Sequence, residues 1–218
     1  MKYLWGRRAV LMAVGFALWG VLLCGLAGCD KTSAELKAAD ASSNRAIDNR
    51  DGKKYAEHLS KGSFERLTKL ISLARTATAK QTKALQMADK YDVLLIRATV
   101  EPERLRKMNA QEYIVRGVED GEIWSTRGFK RVKYSVDAKR TQGSITYRPL
   151  FTKETFTLHW VKEDGAWKED WVTSAADFSR WGRAAAKEEN VSEDDFVLFL
   201  LDEWMGIEAT EEIWNPVR

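Results

Sequence analysis

The chain is poor in the residues that make metal-held or cross-linked folds: two cysteines, Cys24 and Cys29, and two histidines, His58 and His159, in 218 residues. Cys24 lies inside an apolar leader and Cys29 at its end, so a chain without the leader keeps at most one cysteine, forms no internal disulfide and must hold by its core alone. Cysteine-ligated metal is excluded, and two histidines so far apart give no zinc spacing; no metal and no cofactor is expected. There is no glycine-rich phosphate loop and no Gly-x-Ser-x-Gly elbow. Pro102, Pro149 and Pro216 are the only prolines, and no Gly/Ser linker, repeat or low-complexity run appears. The length allows one full-sized domain or at most two small ones.

What is present at the amino end is the layout of an export signal. Lys2, Arg7 and Arg8 form a positive start, and Ala9 to Leu23 is apolar but interrupted by Gly15 and Gly20. This run is shorter than the ~20 residues that a membrane span needs. Arg7-Arg8 lacks the surrounding pattern of a twin-arginine signal. Leu26-Ala27-Gly28-Cys29 resembles the lipobox of bacterial lipoproteins. That resemblance implies cleavage before Cys29 and acylation of its thiol and amine, with residues 1–28 removed. Each buried acyl CH₂ contributes about 0.8 kcal/mol, so two or more chains make a stable anchor. Asp30 resembles the signal that retains such proteins in the inner membrane of enteric bacteria. The expected location is therefore the periplasmic or extracellular side of a cell membrane, lipid-anchored.

Charge is balanced overall and uneven locally. The 35 basic residues exceed the 32 acidic ones only through Lys2, Arg7 and Arg8. Residues 29–175 carry 28 basic and 21 acidic side chains, whereas 176–218 carry 4 and 11. The acidic tail is expected to dock on the basic body. Lys130, Arg131, Lys133, Lys139 and Arg140 form a basic strand and turn. An exported location argues against a nucleic-acid partner and leaves a solvated face or a contact with anionic lipid heads.

The clearest local grammar lies at 155–173, which reads as a β-hairpin closed by a type I′ turn at Asp164-Gly165. A two-residue turn sets Leu158 opposite Trp171, Trp160 opposite Glu169 and Lys162 opposite Trp167, with His159 opposite Asp170 on the other face. Before it, 130–138 alternates, with Val132, Tyr134, Val136 and Ala138 inward, and 144–148 returns with Ile145 and Tyr147 inward. Helices are predicted near 33–49, 53–59, from Ser63 onward, at 80–90, after Pro102 and from Asn109 to Val118. Residues 92–100 read as a strand. Beyond Ser174, 177–187 and 192–205 read as helices, and Phe196 to Met205 is apolar over most of its circumference.

Helices first, then an antiparallel meander, make an α+β layout with helices packed on a curved sheet. The break at Asp51-Gly52-Lys53-Lys54-Tyr55 and the segment from Val161 to Lys168 are similar to the nuclear transport factor 2-like family. The resemblance spans residues 33–174 and implies a cystatin-like cone for 29–174, with 175–218 as an acidic helical extension. Glu169 stands where that family tends to be apolar, and the extension has no counterpart in it. The family includes isomerases, dehydratases and members without catalysis, so function must come from a site.

Two constellations carry chemistry. His159 opposite Asp170 is either an oriented base or a cross-strand ion pair facing solvent. Glu169 on the inner face, near Tyr134 and Tyr147 and among Trp160, Trp167 and Trp171, is either a carboxyl of raised pKa in a pocket those aromatics line, or a bulged position turned to water. Seven of the nine tryptophans lie beyond residue 28; such clusters stack on ligands or form core. The favoured reading is a lipid-anchored, non-catalytic binding or scaffolding module. The competing readings are a small-molecule enzyme using Glu169 or His159 with Asp170, and an accessory subunit docking through Phe196–Met205. A self-plugged module buries Phe199 and Trp204 against Trp160 or Trp171. A docking module, whether onto a second copy or an envelope partner, leaves them exposed.

Overall fold

Asp164 and Gly165 take positive φ, 49° and 80°, and close a two-residue turn between β3 (Phe156–Glu163) and β4 (Ala166–Glu169). The register is the expected one, with Trp160 opposite Glu169 and Lys162 opposite Trp167. The computed structural model describes residues 29–123, 126, 129–149 and 155–216. The leader and Trp124 lie outside the described residues. β1 (Phe129–Val136) and β2 (Gln142–Pro149) complete a four-stranded antiparallel sheet in the order β1-β2-β3-β4. With the helices that precede and follow it, the chain is mixed helix and sheet.

Two strand expectations are corrected. β4 stops at Glu169, because the Asp170 carboxylate accepts from the backbone N–H groups of Val172 and Thr173 at 3.0 and 3.2 Å and caps helix α8 (Trp171–Glu188). Trp171 therefore opens a helix, and Leu158 pairs with Ile145 instead. In β1 the register shifts between Arg131 and Lys133. This bulge leaves Val132 49% exposed and turns Arg131 toward the inner face.

The helices ahead of the sheet follow their caps. α1 (Cys29–Asp48) is followed by α2 (Gly52–Ala56), which the Asp51 carboxylate caps through Lys54 N–H. α3 (Lys61–Thr76) is capped by Ser60 rather than Ser63, and a capping box at Thr78 and Gln81 opens α4 (Ala79–Lys83). Pro102 opens the short α6 (Pro102–Leu105), and Asn109 caps α7 (Ala110–Glu119).

Residues 92–100 are not a strand. They belong to helix α5 (Met87–Thr99), whose first turn supplies Met87 and Ala88 to the interior. α5 is enclosed from two sides. Val93 and Ile96 join Leu67, Leu70, Ile71, Ile114 and Val118, while Met87 and Leu94 meet Phe196, Val197, Leu200 and Leu201 of α9 (Glu193–Met205). Burial on both flanks makes its apolar run nearly continuous, so length and β-branching misread it. A third cluster lies between α1 and the sheet, where Leu36 packs on Ile145, Tyr147, Trp160 and Trp167. After α9, Gly206 at φ 64° ends the helix, and residues 211–214 form a 3-10 turn that buries Trp214.

At Gly52 the backbones of α2 and α7 approach closely. A Cβ on Gly52 would sit 2.5 Å from the Val115 Cα and closer still to its carbonyl oxygen. Backbone cannot yield as a side chain can, so Gly52→Ala is expected to destabilise the fold by about 2–3 kcal/mol in urea unfolding. Gly62→Ala is its control. There a Cβ meets a Val172 methyl at 3.5 Å and the Ser60 hydroxyl at 3.9 Å, both ordinary contacts, and alanine's helix preference is expected to raise stability by about 0.5–1 kcal/mol.

Candidate functional site

Leu36, Asp40 and Ser43 recur at helical spacing and lay one face of α1 along the inner side of the sheet. Two carboxylates are buried in that seam, Asp40 at 1% and Glu169 at 7% exposure. Asp40 accepts from the Tyr147 hydroxyl, from Asn44 Nδ2 at 2.9 Å and from Arg131 Nε at 2.6 Å. Glu169 accepts from the Ser43 hydroxyl at one oxygen, and from the Tyr55 hydroxyl at 2.9 Å and Trp171 Nε1 at 3.3 Å at the other. Its backbone is also held, the N–H by His58 O at 2.7 Å and the carbonyl by Ser60 N–H and the Ser63 hydroxyl.

Burial pushes the Glu169 carboxyl up. The Ser43, Tyr55 and Trp171 donors pull it back in part, and the nearby Asp40 charge adds to the rise. Burial, then the Glu169 charge, lifts the Tyr55 hydroxyl well above its usual range. Burial and then Asp40 do the same for Tyr147. A carboxyl of raised pKa is the chemistry an acid/base site needs, but here both oxygens are aimed at the chain's own donors. Two surface depressions, of ≈ 330 and ≈ 390 Å³, are lined by the α6–α7 region and by the tail after α9, and neither is lined by Glu169, His159 or Asp170.

The structure does not bring His159 and Asp170 together as a side-chain pair. They share only the backbone bond from Asp170 N–H to His159 O at 2.8 Å. The His159 imidazole instead meets Asp177 on α8, Nε2 to Oδ2 at 2.7 Å, and its backbone N–H reaches the Ser174 hydroxyl at 3.1 Å. α8 thus folds over the outer face of β3, whereas Trp160 faces α1. Trp160, Trp167 and Tyr147 are buried in the third cluster, and Trp171 is partly buried beside Glu169. Tyr134 lies at the edge of that cluster with the Lys37 ammonium 4.9 Å from its ring centre. His58 bonds the Ser42 hydroxyl at 3.2 Å, and burial, then nearby Lys168 and Lys54, holds its pKa below the usual value. Sequence reasoning missed Asp40, Ser43, Tyr55 and Arg131 as partners of the seam. The available signal was Asp40 and Asn44 interrupting the stripe of Leu36 and Ser43.

The acidic tail docks through α4 and α5. Lys90 reaches Asp194 at 2.6 Å and Glu193 at 3.8 Å, and Lys83 reaches Glu211 at 3.5 Å. Arg97, 8% exposed, has no carboxylate partner among the described residues and binds carbonyls instead. It donates to Leu73, Ala74 and Ala77 at the end of α3, to Ile213 and Trp214 of the tail, and to the Thr82 hydroxyl.

Docking does not hide the aromatics of α9. Phe199 is 53% and Trp204 51% exposed, and neither lies against Trp160 or Trp171. Trp204 stacks on Trp181 of α8, itself 38% exposed, with centroids 5.9 Å apart at 17°. Phe178 and Tyr91 extend this row on one side, Phe196 and Phe199 on the other. The structure therefore leaves an aromatic face where a self-plugged module would have none.

Cys29 is the first residue of α1. Among the described residues no helix is long and apolar enough to cross a membrane, and no group of three or more His, Cys, Asp or Glu is placed to hold a metal ion. Comparison with family models, with curated proteins and with solved structures gives no match.

Proposed function

We propose that this is a lipid-anchored, non-catalytic scaffolding module of a bacterial cell envelope, tethered through Cys29 and docking another envelope component through α8 and α9. One observation carries the reading: Trp181 of α8 and Phe199 and Trp204 of α9 stand exposed, backed by the partly buried Tyr91 and Phe178, while the acid/base candidates are engaged by the chain's own groups. Single exposed apolar residues are ordinary, but a contiguous aromatic patch marks a contact surface. Glu169 binds Ser43, Tyr55 and Trp171, His159 binds Asp177, and Asp170 caps α8. The same reading takes the seam of α1 against β1–β4 as a variant of the cystatin-like cone, its interior filled by Leu36 and the buried carboxylates. Support for the tether is the Leu26-Ala27-Gly28-Cys29 motif.

Two measurements test it. Cys29→Ser is expected to move the protein from the membrane to the soluble fraction; retention in the membrane fraction removes the lipid tether. A photo-crosslinking residue placed at Phe199 in intact cells is expected to trap a discrete heavier adduct, and the same residue at exposed Lys107, on the opposite connection between α6 and α7, is expected to trap none. Equal yields at both positions would remove the docking role.

A further inference from the structure

We propose that the face formed by α8 and α9 takes a basic amphipathic segment of a partner protein, an apolar stripe flanked by lysine or arginine. The inference rests on the docking role proposed above and names the chemistry that the docking surface selects. Six rings, Tyr91, Phe178, Trp181, Trp204, Phe196 and Phe199, form a connected cluster with neighbouring centroids 5.5–6.0 Å apart, and of these Trp181, Trp204 and Phe199 are exposed over the others. Aromatics held by their neighbours are the side chains that anchor interfaces, because they offer large area with little rotamer freedom to lose. An amphipathic helix laid along such a row is a recurrent recognition mode.

The charge around the row decides among occupants. From Glu188 to Pro216 the chain has ten acidic residues and no lysine, arginine or histidine. Lys90 and Lys83 engage only Glu193, Asp194 and Glu211 of these. Asp195, Asp202 and Glu203 stand at i−4, i+3 and i+4 from Phe199, on the same helical face, and all three are exposed. Asp202 and Glu203 make no side-chain ion pair among the described residues. On the α8 side Arg180 is tied to Asp177. A second copy docked through the same face would set acid against acid, and an anionic lipid surface would be repelled in the same way. A lysine-flanked apolar stripe meets both features at once, with the charges steering encounter and the rings holding the complex.

The test uses the full chain in zwitterionic nanodiscs and two fluorescein-labelled helical peptides that share one Leu/Trp stripe, one with lysine flanks and one with glutamate flanks, read by anisotropy. The lysine peptide is expected to bind at least about tenfold more tightly, and about 0.5 M salt is expected to close most of that gap. Asp202→Lys combined with Glu203→Lys is expected to invert the preference. Phe199→Ser is expected to weaken both peptides about tenfold without lowering the melting temperature, since Phe199 is half exposed. Equal binding of the two peptides, or a preference that survives the charge reversal, overturns the proposal. So does concentration-dependent self-association abolished by Phe199→Ser, or tighter binding to anionic than to zwitterionic vesicles. An adduct at Phe199 in cells with equal peptide binding would keep the docking role and remove the basic partner. Selective lysine-peptide binding without an adduct would keep the surface and remove the envelope role.

Discussion

Arg97→Met is expected to cost about 3–5 kcal/mol in urea unfolding, the largest single-residue loss in this protein. Methionine keeps most of the volume and removes the charge, so the loss isolates the guanidinium. That group is 8% exposed and donates from Nε to Ala74 O at 2.9 Å, from Nη1 to Trp214 O at 2.7 Å and Ile213 O at 3.1 Å, and from Nη2 to Ala77 O at 2.6 Å and Leu73 O at 3.2 Å. Burial depresses its pKa to about 10, which leaves it charged at neutral pH. In place of a carboxylate it has the negative end of the α3 dipole and the carbonyls left over where that helix stops. Removing it strands those acceptors beneath Trp214 and releases the tail at the same time. Arg97→Lys restores the charge but cannot fork across both segments, so about half of the loss is expected to remain. Limited proteolysis reads the second effect: cleavage after residue 205 should appear in Arg97→Met under conditions where the parent chain stays intact. A loss below about 1 kcal/mol would mean that water replaces the guanidinium freely.

How much of this was legible follows from which interactions are local. The Asp-Gly turn fixes a register two residues away, so the pairing of Trp160 with Glu169 and of Lys162 with Trp167 could be read directly. The caps at Asp51, Thr78, Asn109 and Ser192 act within three residues, and helices start where they do. Asp170 was an equally local cap, but the aromatic and β-branched Trp171-Val172 that follow argued for strand, and the cap prevailed. α5 failed for a different reason. An apolar run of that length is a buried strand or a helix enclosed on both sides, and only the packing of α3 against one flank and α9 against the other decides between them. The bulge at Val132 leaves no mark in an alternating sequence, yet it aims Arg131 at Asp40. For the seam, an inward Glu169 of raised pKa is one of two readings that the sequence leaves open, and two of its partners, Ser43 and Tyr55, come from more than a hundred positions away. The exposed aromatic face was readable as an alternative only, since composition cannot say which side of an all-apolar helix remains uncovered.

Glu169 separates hydrogen bonding from charge, and two substitutions are expected to read the two contributions apart. Its folded pKa is raised above the unfolded value, chiefly by burial, so the native state binds the proton more tightly. By linkage, the contribution of this group is fully present below the unfolded carboxyl pKa, near 4.5, and is lost as pH rises through the folded value. Glu169→Gln cannot ionise. Relative to the parent chain it is expected to be close to neutral in stability at the acid end and to become progressively more stable as pH approaches neutrality. Taking the difference between the two chains cancels the titrating groups that do not interact with Glu169, including Asp92 and Glu122, whose pKa values burial also raises. Glu169→Leu removes the acceptors altogether and strands the Tyr55 hydroxyl and Trp171 Nε1 in the core, while the Ser43 hydroxyl can turn back to its own helix. Relative to Glu169→Gln, which is equally unable to ionise, a loss of about 2–4 kcal/mol is expected at every pH. Urea unfolding of the three chains across the range from pH 4.5 to neutrality reads both effects. If Glu169→Gln instead lost stability as pH rose, the carboxylate would be favoured in its charged form, and the seam between α1 and the sheet would be an anion site held by its donors rather than a place where burial favours the protonated carboxyl.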